Sequence, residues 1–488
     1  MYRERVVAKT SGRAQAPIRF EAAPSEHVLI TGADRLTGWR KADDARRIYS
    51  VAWPHKFIGW NRSMTHPDDE YHRIIGRCEQ VAVNGYLLRQ VLNAGQLAPG
   101  TFFVDVTNKT LLAWDTTSRD LNQADVEASV RQEVFRVEGD HVQLSGLRFR
   151  YAANMAQHGA VVLAGRHDTM EDCVIESMNS SGAAFTGQDA VVRHCVFRDN
   201  GQLGFGASRA HRLLFTECLV ENNNTKGFDR GWEAGGDKLV LCRDAVVERS
   251  RFVRNRGNGI WFDIGNTNCT VRQCLIAENE DAGIFYEISF SLLAHDNVIV
   301  GNREGFAFRE QSRTTPTIDD RASRPVWNHD ELIRHNLIVF NRDAQVWGWF
   351  DVKDNRHWPA RSGSTNQTGG VVATKPGNIA AADVADSKGP PLGLALEKLR
   401  LRFANNVYFA APGQSWFKWG PTWARHQSYA GLSEFQSSLG LDADGQVLDP
   451  GFTGARLLDF RLHTEAMSLL KESYPRGPVP GALLGVRE

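Results

Sequence analysis

The chain has 488 residues, 42% of them hydrophobic, enough for a large core, and its 57 Lys and Arg balance its 57 Asp and Glu. That neutrality argues against a nucleic-acid or anionic-membrane partner. No run of 18 apolar residues is present, so no helix is expected to cross a bilayer.

The N-terminal MYRERVVAKTSGRAQAP lacks the apolar core of a secretory signal. The expectation is a cytoplasmic protein, or an exported one whose leader has been removed. Residues 17–33 read as two short strands, and 1–33 as an N-terminal cap. Residues 34–135 carry strand signals such as RIYSVAW, EQVAVNG, GTFFVDV and KTLLAWD, and predict a small β-sandwich. His55, His66 and His72 fall there, near Trp53 and Trp60.

A repeat then begins near residue 135. RHCVFRDN, TECLVENN, RQCLIAEN, HDNVIVGN and RHNLIVFN share one template, with Cys195, Cys218, Cys274, Asn297 and Asn336 at its reference position. An Asn closes each copy, at 200, 223, 279, 302 and 341. Copies around Ser250, closing at Asn255, and around Cys173 complete the series, with spacings of 22, 23, 32, 24, 23 and 39. A period of 22 to 24 with short β-rich segments predicts an all-β solenoid, a right-handed parallel β-helix over 136–410. The Asn is expected to form a structural ladder in a turn, because Asn tolerates left-handed backbone and can bond along the stack. The seven cysteines read as buried free thiols, and no CxxC pair suggests a metal site.

The 32-residue spacing contains an excursion, NNTKGFDRGWEAGGDK, which lengthens one turn. Long insertions on one solenoid face commonly build the binding site. Glu233, Trp232, Lys238, Asp237 and Arg230 are its candidate residues; the alternative is a solvated loop with incidental charges.

Thirteen residues after Ser250 and after Cys274 stand Asp263, in GIWFD, and Glu287, in GIFYE. Residues one period apart stack about 4.8 Å apart. The two acids should therefore share one face, with Trp261 and Phe285 beside them, while Ile260, Phe262, Ile284 and Tyr286 face the other way. Stacked carboxylates repel, so chance is a poor explanation for them. A close pair suits a retaining glycosidase, with one acid as nucleophile and one as proton donor. Glu310 is a third candidate by the same count from Asn297, although counting four from Gly305 selects Arg309 instead. Trp349, one coil later, is a candidate sugar contact.

Further excursions lie at 312–330 and 353–392, and either could close a cleft. A last strand copy, RFANNVYFA, falls at 402–410, and 411–488 reads as a C-terminal cap.

The Trp-Glu-containing loop, GIWFD and IFYE together resemble right-handed β-helix glycosidases: glycoside hydrolase family 120, the β-xylosidase family, first, and family 141 second. The resemblance covers about residues 17–310 and again 449–462. It implies Asp263 as nucleophile, Glu287 as acid/base, Glu233 as an auxiliary acid and Lys238 as its companion. Ile288-Ser289-Phe290-Ser291 departs from the family's Asn-His-Gly-type segment. The expected activity is retaining hydrolysis, exo-acting, on a xyloside- or arabinoside-like glycan, with an oligo- or polysaccharide as partner and no cofactor or metal. Homo-oligomerisation is left open. A polysaccharide lyase or epimerase acting on uronates, with Lys238 as base, and a non-catalytic carbohydrate-binding β-helix are the alternatives.

Overall fold

The computed structural model describes residues 1–58, 76–117, 119–311, 314–316, 323–325, 328–351, 400–422 and 425–452. His66, His72, Trp60, the 353–392 stretch and most of 312–327 lie outside them. The described chain winds into a right-handed parallel β-helix with three long sheets of twelve, ten and eleven strands. Each complete coil contributes one strand to each sheet, and Arg425–Tyr429 adds a twelfth strand by folding back antiparallel on Phe417–Thr422. Ala282–Glu287, Leu293–His295 and Val298–Val300 make up one such coil.

The first coil comes earlier than the repeat predicts. Val6–Ala8, Ile18–Glu21 and Val28–Thr31 pair in parallel with Phe135–Val137, Val142–Ser145 and Leu147–Arg150. These early strands lack the Asn and Cys of the later template, so periodicity does not reveal them. Between this coil and the next, sheets of five and four strands, antiparallel except where Arg89–Val91 pairs in parallel with Thr101–Asp105, share a core built on Trp39, Tyr49, Trp53, Phe102, Leu111 and Val126. They lean on one edge of the helix: Gln80 Nε2 donates to Ser177 O at 3.1 Å, and Tyr151 OH donates to Gly85 O at 2.9 Å.

The coil interior is a column of Phe, Ile, Val and Cys side chains, and all seven thiols are free and buried. The asparagine ladder forms as the repeat predicts. Nδ2 of Asn200, Asn223, Asn255 and Asn279 donates to the Oδ1 of the Asn one coil on at 2.8–3.0 Å. Asn302 continues it to Asn341, and Gln345 receives the last bond at 3.0 Å. Beside it runs a glycine column: Gly182, Gly204, Gly236, Gly259, Gly283 and Gly305. A Cβ on Gly259 would lie 2.6 Å from Gly283 O and 2.9 Å from Asn279 Nδ2. The tight turn therefore needs both the amide that bonds along the stack and the missing side chain beside it.

At the far end, the helix Leu432–Leu439 buries Leu432, Phe435 and Leu439. Phe435 stacks on Phe417 of the last coil at 4.3 Å, closing the core.

Candidate active site

The site lies on the outward face of the twelve-stranded sheet. Parallel register sets its columns. Trp261 stands opposite Phe285, Phe285 opposite Ala307, Ala307 opposite Trp347, and Trp347 opposite Lys418. On the preceding side, Leu239 pairs with Phe262, which puts Lys238 in the same column as Trp261. Two residues further along each strand comes a second outward column, Asp263, Glu287 and Arg309, with Glu287 opposite Arg309. The predicted alternation holds: Ile260, Phe262, Ile284 and Tyr286 fill the core.

Asp263 and Glu287 are 5% and 3% exposed. Lys238 Nζ reaches Asp263 Oδ2 at 2.9 Å and Glu233 Oε1 at 3.1 Å, and lies 4.4 Å from the centre of the Trp261 ring. Trp261 stacks on Phe285 with centroids 5.0 Å apart, and its Nε1 donates to Glu287 Oε2 at 3.2 Å. The two acids are thus held by different partners, Asp263 by an ammonium and Glu287 by an indole N–H. Behind them, Ser289 Oγ sits 2.6 Å from Asp263 O and 2.9 Å from Glu287 O. The serine therefore fastens the two acid-bearing strand ends together.

Glu233 is delivered by the excursion. Asp229 caps the short helix Arg230–Glu233, accepting from Gly231 N at 2.6 Å. Gln202 Nε2 holds Glu233 O at 2.8 Å, and the Gln157 amide bonds the Glu233 carboxyl. Burial raises the Glu233 pKa and Asp263 adds to the effect, while Lys238 opposes it. Burial works against the charge on Lys238, yet Glu233 and Asp263 more than offset it, so its pKa ends above the ordinary lysine value.

Asp237 does not belong to this cleft. It stands opposite Phe205, in the inward column, and is 0% exposed. Its Oδ1 accepts from Trp261 N at 2.8 Å, and burial drives its pKa well above the carboxylate range. It is a neutral core acid that fills a gap in the ladder. Arg230 Nη1 is bonded to Glu280 O at 2.9 Å, tying the excursion to a neighbouring turn. Trp232 packs with Phe228 and Ala156, its ring 6.3 Å from that of Phe228. Arg309, not Glu310, follows Glu287 in the outward column; it lies 4.7 Å over Phe285 and donates to Glu304 at 3.1 Å. Glu310 pairs with Phe350, and Trp349 with Arg309, along the backbone; both side chains lie outside the described residues.

Gln157, Gln202 and Ser289 were not singled out by sequence reasoning. The two glutamines come from earlier coils and carry no motif. Ser289 was visible only as a departure from a family pattern.

The chain matches the family model described as a right handed beta helix region over residues 134–231 and 159–320. No curated protein matches it in sequence. Among solved structures, the complex of XylC with xylose is similar at a TM-score of 0.56 and 15% identity, over 93% of this chain and 80% of that one. A structure described as a glycoside hydrolase aligns at 0.47 and 12% identity, over 71% of this chain and 84% of its own. The periplasmic alginate epimerase AlgG aligns at 0.31 and 13% identity, over 58% and 68%. At such identities the likeness to XylC is one of fold. No described helix is long and apolar enough to cross a membrane.

Proposed function

We propose that this β-helix is a carbohydrate-active enzyme, a retaining glycoside hydrolase acting on the non-reducing end of xyloside- or arabinoside-like glycans. The observation that carries the reading is the pair of buried carboxylates on successive coils, each with its own partner: Asp263 on Lys238, Glu287 on Trp261. Burying two acids on an outward face is costly unless something uses them. XylC, which shares the fold, is described in complex with xylose, and this supports the choice of sugar.

In this mechanism an Asp263 oxygen attacks the anomeric carbon while the glycosidic C–O bond breaks. Glu287 gives its proton to the leaving oxygen. A water then attacks the same carbon, gives its proton to Glu287, and the ester bond to Asp263 breaks. Two displacements on one carbon retain configuration. No cofactor enters either step. Lys238 would stabilise the attacking carboxylate, and Glu233 would hold Lys238 in place.

Lyase or epimerase chemistry would require Lys238 as a neutral base. Its neighbours instead raise its pKa and keep it an ammonium, which disfavours that reading. The test is a panel of nitrophenyl glycosides, beginning with β-xyloside and α-arabinofuranoside, run with wild type, Asp263→Ala and Glu287→Ala. Azide should rescue Asp263→Ala with a glycosyl azide of inverted configuration, and Glu287→Ala with one of retained configuration. Release of unsaturated product from uronate polymers, with no aryl glycoside cleaved, would replace hydrolysis with elimination.

A further inference from the structure

The excursion that delivers Glu233 is gripped at both ends. At its entrance, Asn224 Oδ1 accepts from Phe228 N at 2.6 Å, Asn224 Nδ2 donates to Phe228 O at 2.8 Å, and Lys226 Nζ donates to Asn179 Oδ1. At its exit, Gln202 holds the chain twice: its Nε2 donates to Glu233 O at 2.8 Å, and its own O accepts from Gly235 N at 3.1 Å. The two grips belong to one network. Gln202 Oε1 accepts from Ser180 Oγ at 2.6 Å and from Gln157 N at 2.8 Å. Ser180 N donates to Asn154 Oδ1 at 3.0 Å, and Asn154 O accepts from Asn179 Nδ2 at 2.7 Å. Asn179 Nδ2 also donates at 3.2 Å to Arg77 O, just ahead of the strand Val81–Val83 of the inserted sheets. Asn154, Asn179, Ser180 and Gln202 are each at most 1% exposed. Buried polar side chains are costly unless they are bonded, and a bonded set fixes one geometry.

None of these four residues is a rung of the asparagine ladder, which begins at Asn200, so stacking of the coils does not by itself call for them. We propose that Asn179 and Gln202 are positioning residues for the reaction. Asn179 ties the entrance of the excursion to the inserted sheets, Gln202 ties its exit to the same network, and together they set Glu233 against Lys238. The inserted sheets thereby act on the site through the corner of the helix. The catalytic consequence rests on the roles proposed for Glu233, Lys238 and Asp263. A Glu233 carboxyl that drifts from Lys238 leaves the ammonium on Asp263 alone, and a carboxylate paired more tightly in the ground state is a poorer nucleophile. If the four side chains only completed a turn, their loss would lower stability and leave the excursion no looser than the rest of the chain.

The test is amide hydrogen exchange, read by mass spectrometry, on wild type, Gln202→Met and Asn179→Leu. The N–H groups of Gly231, Trp232 and Glu233 all bond to Asp229 inside the excursion, so their exchange reports its order. Exchange over 231–235 should be at least about tenfold faster in both variants, while the strands Leu275–Ala277 and Ala282–Glu287 keep wild-type protection. Unchanged exchange over 231–235, or acceleration spread evenly along the chain, would overturn the proposal. Where thermal melting shows that a variant does not fold, Ser180→Ala replaces Gln202→Met and Lys226→Met replaces Asn179→Leu, each with a rise of about threefold expected. Exchange is read without substrate, so this arm stands whether or not any glycoside is cleaved. A second arm measures steady-state rates on an aryl glycoside that wild type cleaves. Gln202→Met should lower kcat about tenfold with KM within about twofold, and should cost less than about twofold more in a Glu233→Gln background. Additive losses in that cycle would overturn action through Glu233. Local acceleration of exchange in a protein that cleaves no glycoside would overturn the hydrolase reading and leave the mechanical coupling standing.

Discussion

Trp261 Nε1 donates to Glu287 Oε2 at 3.2 Å across one coil of the helix. The residue that orients one acid thus sits two positions before the other, and packing and chemistry share a side chain. Trp261→Phe leaves an aromatic ring against Phe285 but removes the N–H and trims the indole to a single ring. We expect kcat to fall by about threefold to tenfold, with KM for aryl glycosides little changed, since a typical hydrogen bond is worth about 0.5–1.5 kcal/mol net. A larger change in KM than in kcat would show that the indole binds substrate rather than Glu287.

Lys238 stands between two carboxylates. Removing it as Lys238→Met leaves Glu233 and Asp263 facing each other in a buried site, at a cost of about 3 kcal/mol in unfolding free energy. Adding Glu233→Gln removes one of the two negative charges. The double variant should regain much of the stability in urea melts while staying inactive. Additive losses would mean that the three groups are not coupled.

The two aspartates of this region should behave oppositely. Asp237 is a neutral acid in the core, and Asn can still accept from Trp261 N. Asp237→Asn should keep activity within about threefold of wild type, whereas Asp263→Asn should lose at least about a thousandfold. Steady-state rates on one aryl glycoside separate the two cases.

The glycine column predicts stability. Gly259→Ala places a methyl 2.6 Å from Gly283 O and 2.8 Å from Ile276 Cγ2, and should cost about 1–3 kcal/mol. A Cβ on Gly206 would meet no atom within 4 Å, so Gly206→Ala should be neutral or stabilising by about 0.5 kcal/mol. Chemical denaturation of the pair measures both.

Asp168 is buried, and its pKa is raised to about 7 by that burial. Its unfolded value is about 3.9. Between these values the folded chain keeps a proton that the unfolded chain has released, so this group's contribution to stability falls as pH rises from about 4 to about 7. Asp168→Asn should remove that slope. Tm recorded against pH for both chains should therefore converge at low pH and separate near neutrality, with the variant higher.

The repeat and the stacked acids were legible because each coil must satisfy the same turn, and an Asn does so each time. The acids were legible because register is inherited from coil to coil. What was missed follows from the same physics. The first coil satisfies its turns without the Asn and is separated from the second by the inserted sheets. Asp237 looks like its charged neighbours in the excursion, and only its pairing with Phe205 turns it inward. Glu310 was counted across a turn one residue shorter than in the two preceding coils, three residues from Asn302 to Gly305 rather than four. The glycine column lies within the sheet and was the better ruler.

The proposed retaining mechanism turns on Asp263 as the nucleophile. Its most direct test is peptide mapping by mass spectrometry after inactivation with an activated 2-deoxy-2-fluoro glycoside of the sugar that the panel shows to be cleaved. One covalent sugar is expected, on Asp263. A label on Glu233 or Glu287, or efficient turnover with an inverted product and no label, would contradict it.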